Sequence, residues 1–208
     1  MRLVRAPAGR CALLATVTLS LTSFLVLAAF AAQRYWFDLD HSVRQLVSLV
    51  RHPMLDGPMH GFSLLGEELG LIPLIALTSA ALWWGRRPWA LALPVVMAGT
   101  GALQFLAKWA VDRPRPNLAD WGFPSGHVLA LVVFCGVIAY LLCTARCSWG
   151  WRSLGAASAG TTVLAVAFSR LYLDVHWLSD VAGSFALGFA YLLFTIWLVE
   201  SLSRRRTP

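Results

Sequence analysis

Residues 11–32 form a run of 22 positions without one charged side chain. An α-helix rises about 1.5 Å per residue, so this run crosses a hydrocarbon core about 30 Å thick. Similar apolar runs recur at residues 69–84, 89–107, 128–145, 154–168 and 181–199. In lipid no water is present to satisfy backbone N–H and C=O groups, so a spanning segment must bond them internally, as a helix does. The expected fold class is therefore all-α: a polytopic membrane helix bundle with six transmembrane helices. The runs 69–84 and 154–168 are short and need flanking polar residues to cross. Composition agrees, since 58% of the chain is hydrophobic and 13% is charged, against about 25% charged in soluble domains.

The first run admits two readings. Arg2, Arg5 and Arg10 precede it and Ala28-Ala29-Phe30-Ala31-Ala32 closes it, which is the layout of a cleaved signal peptide. Its length exceeds the apolar core of about 7–15 residues usual there and favours a retained span. Both readings start the chain in the cytoplasm. Orientation then follows from charge. With six spans, ten of the seventeen basic residues face inward: Arg2, Arg5, Arg10, Arg86, Arg87, Arg146, Arg152, Arg204, Arg205 and Arg206. Nine of the ten acids face outward, with Glu200 the exception. Both termini are expected in the cytoplasm of a bacterium, with the chain in its inner membrane. The net charge of +7 thus reads as a topology signal. A nucleic-acid partner is not expected, because the arginines stand in short clusters at span ends. Cys11, Cys135, Cys143 and Cys147 lie in spans or near the inner face, where no disulfide framework is implied.

Between the first and second spans, Val43, Leu46, Val47 and Val50 recur at helical spacing with Arg44, Gln45 and Ser48 on other faces. This predicts one short helix, either lying in the membrane interface or capping the bundle, and broken by Pro53, Gly57 and Pro58. The tryptophans fall near span ends, as in interfacial belts.

Three polar constellations fall on the outer side. In Lys108-Trp-Ala-Val-Asp-Arg-Pro-Arg115-Pro116, the lysine either snorkels to the interface or serves as a compact charge for phosphate. Two prolines fix the backbone and aim guanidinium groups, which can hold two phosphate oxygens at once. In Phe123-Pro-Ser125-Gly126-His127, Ser125 either caps the next helix or helps free helix N–H groups bind an anion. There Gly126 permits close approach and His127 can donate a proton to a departing alkoxide. In Ser169-Arg170 followed by His176 and Asp180, the last two are four apart and share a helical face. They either brace a helix start or form an oriented nucleophile, with the carboxylate fixing the imidazole tautomer. Taken together, cations, N–H donors, a nucleophile and an acid are the parts that phosphate transfer needs.

The spacing K-x6-R-P, then P-S-G-H, then S-R-x5-H-x3-D resembles the signature of the type 2 phosphatidic acid phosphatase superfamily, the lipid phosphate phosphatases. Lys108 with Arg115-Pro116, Pro124-Ser125-Gly126-His127, and Ser169-Arg170 with His176 and Asp180 fill every position. The resemblance implies a site at the outer face and a phosphohistidine on His176, oriented by Asp180. It implies that His127 is the general acid and that Lys108, Arg115, Ser125, Gly126 and Arg170 hold the phosphate. It also implies a reaction needing no metal or other cofactor. Asp112 and Arg113 stand beside the motif without belonging to it: Asp112 is expected as a local charge partner, Asp174 as a surface residue or loop brace. His41, His52 and His60 match no motif position. The chain is expected to be one membrane domain over residues 1–208: a first transmembrane helix with a cytoplasmic N-terminus in 1–35, a phosphatase core in 60–199 and a basic cytoplasmic tail in 200–208. The expected partners are the bilayer and a lipid phosphate substrate, with a polyprenyl diphosphate such as undecaprenyl diphosphate ahead of a phospholipid phosphate. The alternatives are a phosphotransferase acting on an acceptor such as lipid A, and a non-catalytic lipid-binding protein.

Overall fold

The computed structural model describes residues 7–205, and all regular structure in them is helical. In chain order the helices are α1 (Pro7–Ala32), α2 (Asp38–Leu49), α3 (Pro53–Leu64), α4 (Glu68–Leu82), α5 (Arg87–Val111), α6 (Gly126–Thr144), α7 (Trp149–Tyr172) and α8 (Leu178–Arg205). Arg2, Arg5 and Arg206, used above for orientation, lie outside the described residues.

Among the described residues five helices are long and apolar enough to cross a membrane singly: α1, α5, α6, α7 and α8. The expected short run at 154–168 is extended at both ends, so α7 reaches 24 residues. The run at 69–84 is not rescued in the same way. Helix α4 has 15 residues, about 22 Å at the α-helical rise. The candidate for a sixth crossing is instead α3 and α4 together, bent by 45° at the break between them. Two short helices therefore follow α1 where one was expected. Pro53 does end the first of them by starting the second, at the position where a missing N–H is harmless. His52 caps α3, its Nδ1 accepting from the Met54 N–H at 3.3 Å. Gly57 and Pro58, expected as breakers, sit inside α3.

Helix α6 occupies the centre. Val128, Leu129, Val133 and Val137 have no exposed surface, and the helix packs against α5, α7 and α8. Close approach of α6 and α8 relies on small residues, as in other membrane bundles: Gly136 lies under Leu192, and Gly188 under Val132. Helix α1 lies outside this core on α8, where Phe24 stacks on Phe123 with ring centroids 5.7 Å apart. Leu129 joins Phe24, Phe123 and Leu187 in that second apolar cluster. Leu129→Ala is expected to leave a void there and to lower stability by about 2–5 kcal/mol. Thermal unfolding in detergent checks it, and an unchanged Tm would show that Leu129 does not hold this cluster together.

Candidate active site

The polar groups gather at one end of the bundle, where α5, α7 and α8 meet two loops. Lys108 occupies the last turn of α5 and is buried. Its Nζ donates to the carbonyl of Trp121. Asp112, expected as a charge partner, instead ends α5 in the left-handed region at φ 43° and ψ 47°, its N–H on the Lys108 carbonyl, with its side chain exposed. The loop that follows folds back on itself through Gly122 N–H to Arg113 O and Arg115 N–H to Ala119 O.

That loop delivers Ser125 to the start of α6. Ser125 is the N-cap residue, yet its side chain makes no capping hydrogen bond. Its hydroxyl is fully buried and has no partner in the protein. The place a Cβ would take at Gly126 is filled by the Gln104 carboxamide, 2.3 Å away. So at Gly126 the missing side chain accommodates a neighbouring helix. His127 follows, half-buried, with Nε2 3.3 Å from Glu67 Oε1. Gly66 makes this contact possible, since a Cβ there would stand 2.7 Å from His127 Cβ.

Arg170 closes α7 and is buried. Its Nη1 donates to Ser63 Oγ at the end of α3. Nε of Arg115 and Nε of Arg170 are buried and, like the Ser125 hydroxyl, lack a protein acceptor. Native buried donors are nearly always paired, and these three have no partner among the described residues.

His176 and Asp180 begin α8. Both are buried, and Nδ1 of the ring lies 3.5 Å from Asp180 Oδ2. This is an electrostatic contact, longer than a formed hydrogen bond. Burial pushes the His176 imidazole down to about 4; Asp180 pulls against this, and the charges of Lys108 and Arg170 add to the lowering. The ring is therefore neutral at pH 7. The same charges reach His127, and Arg115 is felt at both Lys108 and Arg170. Lys108, Arg115, His127, Arg170, His176 and Asp180 thus share one electrostatic neighbourhood.

Other residues of this end carry no motif. Arg113 has 1% of its side chain exposed and is paired with two carboxylates, Asp40 at 3.1 Å and Asp180 at 2.7 Å. Asp40 also accepts from the Ser179 backbone N–H and hydroxyl. Outside these, Arg44 of α2 grips Asp174 with two hydrogen bonds of 2.8 and 2.7 Å, and Arg51 adds an ion pair at 3.2 Å. Asp174 thereby ties α2 to the loop before α8. Among the described residues no three His, Cys, Asp or Glu side chains form a group that would hold a metal ion.

The PAP2 superfamily profile matches residues 89–204, more than half of the chain and all of these motif positions. The chain belongs to the PAP2 superfamily. Phosphatidylglycerophosphatase B of Bacillus subtilis (strain 168) is 31% identical over 192 residues, covering 88% of this chain and 94% of that protein. The crystal structure of a transmembrane PAP2-type phosphatidylglycerolphosphate phosphatase from Bacillus subtilis superposes with a TM-score of 0.77 at 28% identity, covering 92% of this chain and 98% of that one. An undecaprenyl-diphosphatase of Sulfolobus acidocaldarius is 34% identical over 106 residues, 51% of this chain and 46% of that protein. This PAP2 protein is an integral membrane enzyme of the lipid phosphatase class.

The Arg44 and Arg51 pairs hold the Asp174 carboxyl below its usual range, with the Arg44 hydrogen bond the largest cause. A carboxylate whose pKa falls on folding adds stability above its unfolded value and loses it as pH drops through the folded one. Arg44→Ala should lower stability at pH 7 by no more than about 1 kcal/mol, since the pair is partly exposed. The loss should vanish below the carboxylate range, and equal losses at pH 7 and pH 3 would contradict the ion-pair account.

Proposed function

We propose that the chain hydrolyses a lipid phosphate by covalent catalysis on His176. The observation that carries this reading is the neutral, buried His176 ring, set beside Asp180 and within the field of Lys108 and Arg170. A neutral imidazole has a lone pair to give. In the proposed first step Nε2 attacks phosphorus, and the phosphorus–oxygen bond to the lipid breaks. The leaving oxygen takes a proton from His127. Asp180 holds the proton on Nδ1 and stabilises the positive ring as the phosphorus–nitrogen bond forms. Lys108, Arg115, Arg170, the Ser125 hydroxyl and the N–H groups at the start of α6 receive the phosphoryl oxygens. In the second step water attacks the phosphohistidine, His127 accepts the water's proton, and inorganic phosphate leaves with His176 neutral again.

A lipid substrate is supported by the groove that reaches His127. It has a volume of about 1100 Å³ and runs between α4, α5 and α6, with Leu69, Ile72, Ile75, Pro94 and Met97 on its walls. Its polar end holds Glu67, Gly126 and His127. A hydrocarbon tail fits those walls, with its headgroup at the polar end beside Glu67, Gly126 and His127. Two relatives point to two headgroups. The near full-length match to phosphatidylglycerophosphatase B favours a phospholipid monophosphate, and the shorter match to an undecaprenyl-diphosphatase keeps a polyprenyl diphosphate beside it. The distribution of arginine supports a site facing the periplasm or exterior of a bacterial inner membrane, with both termini in the cytoplasm.

The test is phosphate release from phosphatidylglycerophosphate, phosphatidic acid and undecaprenyl diphosphate by purified protein in detergent with chelator present. Release should persist with chelator, vanish in His176→Ala and fall about 10²–10⁴-fold in His127→Gln. Full activity of His176→Ala would sink the mechanism, and label appearing in an acceptor lipid instead of free phosphate would make the chain a transferase. In the wild type, kcat/KM should fall on acidification as the His176 ring gains a proton near its value of about 4. An acid limb near the ordinary histidine range of about 6.5 would place the essential free base elsewhere.

A further inference from the structure

Resting on the reading of His176 as nucleophile, we propose that Arg113 and Asp40 are positioning residues, which aim the Asp180 carboxylate and set the charge it presents to the ring. Both oxygens of Asp180 are committed. Oδ1 accepts from Arg113 Nη1 at 2.7 Å, and Oδ2 accepts from the Trp177 backbone N–H at 2.8 Å. Arg113 is fixed in turn: Nη1 also donates to Ser179 Oγ at 2.7 Å, while Nη2 donates to Asp40 Oδ2 and the Tyr35 carbonyl, both at 3.1 Å. Its guanidinium lies against the Trp177 ring, 5.9 Å from the centroid. Asp40 holds the other side, its Oδ1 accepting from Ser179 N–H at 2.8 Å. Asp40, Arg113 and Asp180 are almost wholly buried.

The charges make this more than a scaffold. A lone arginine on Asp180 would neutralise it and weaken its hold on a positive ring. With Asp40 sharing that arginine, the three groups carry a net charge of −1. When Nε2 bonds to phosphorus the imidazole becomes cationic, and the buried cluster reaches neutrality at that moment. Charge at a desolvated site is felt strongly, so an arrangement completed only by the reacting state favours that state. The other charges facing His176 are Lys108 from α5 and Arg170 from α7. Arg44 of α2 lines the small hollow beside the ring together with Asp40.

Three variants separate this role from simple bracing: Asp40→Asn, Arg113→Met and the double variant, each checked for folding by gel filtration and Tm. Arg113→Met leaves two carboxylates without their cation. The acid limb of kcat/KM should then move to higher pH by about one unit or more, with kcat reduced at least about tenfold and KM within about threefold. Asp40→Asn should lower kcat by a similar factor without raising the acid limb. The double variant restores a net charge of −1, and its limb should return toward the wild-type position. Lower kcat in all three with an unmoved limb would reduce the pair to structural support and overturn the proposal, as would wild-type kcat in folded Asp40→Asn. If Arg113→Met does not fold, Arg113→Lys stands in: it keeps the charge but reaches one carboxylate only, and should lower kcat at least about tenfold at constant KM, wild-type kcat again overturning the proposal. Acid-labile labelling of His176 by ³²P-substrate in the wild type keeps the two readings apart. Absence of label defeats the nucleophile itself; label with indifferent variants defeats only the positioning role.

Discussion

A fully charged guanidinium lies inside a bundle built mainly of leucine, valine and alanine, and much of this end of the molecule is arranged to satisfy it. Burying an arginine side chain demands carboxylates and further acceptors. Asp40 and Asp180 supply the charge, and Ser179 Oγ and the Tyr35 carbonyl supply further acceptors for its two Nη groups. Removing one member of such a buried group generally costs about 3–5 kcal/mol, because the remaining charge stays desolvated. The consequence is topological. Helix α2, the loop after α5 and the first turn of α8 are bound to one side chain, and α2 is thereby part of the bundle. Its outer arginines on Asp174 close the same joint from the solvent side.

How much of this was legible in the sequence depended on whether the relevant information is local. A membrane span must be apolar over its own length, and α1, α5, α6 and α8 each contain one of the charge-free runs. The α3 and α4 pair has no charge-free run over its whole length, because Glu67 and Glu68 interrupt it at the bend, so only its second piece showed. Pro58 was expected to break a helix. It sits within α3 all the same, where one missing N–H removes a single intrahelical bond.

The motif residues were legible because phosphate chemistry asks for given side chains at short spacings along one chain segment. Their supports follow a different rule. Asp40 meets Arg113 from 73 residues away, Ser63 meets Arg170 from 107, and Glu67 meets His127 from 60. No local spacing encodes such partners. Arg113 did carry a signal, since it shares the Arg-Pro-Arg-Pro run with Arg115. The prolines were expected to aim the guanidinium groups, but spacing alone does not reveal that one is paired inward to carboxylates while the other joins the cations around Lys108 and Arg170.

The bend between α3 and α4 links the polar site to its apolar approach. Irregular backbone in a membrane protein persists where protein buries it or where it lines a cavity, and here Gly66 is buried and, with Glu67, lines the groove. Ser63, in the last turn before the break, accepts from Arg170. The turn itself packs Gly66 on the backbone of His127 and sets Glu67 beside its ring. The helix after the break forms one wall of the groove. A straight helix along the same path could not touch Arg170 with one half, His127 with its middle and leave a hydrocarbon-lined opening along the other half. The bent pair does all three, and so its departure from a continuous apolar run, which concealed it in the sequence, is the same feature that brings a hydrocarbon wall up to His127.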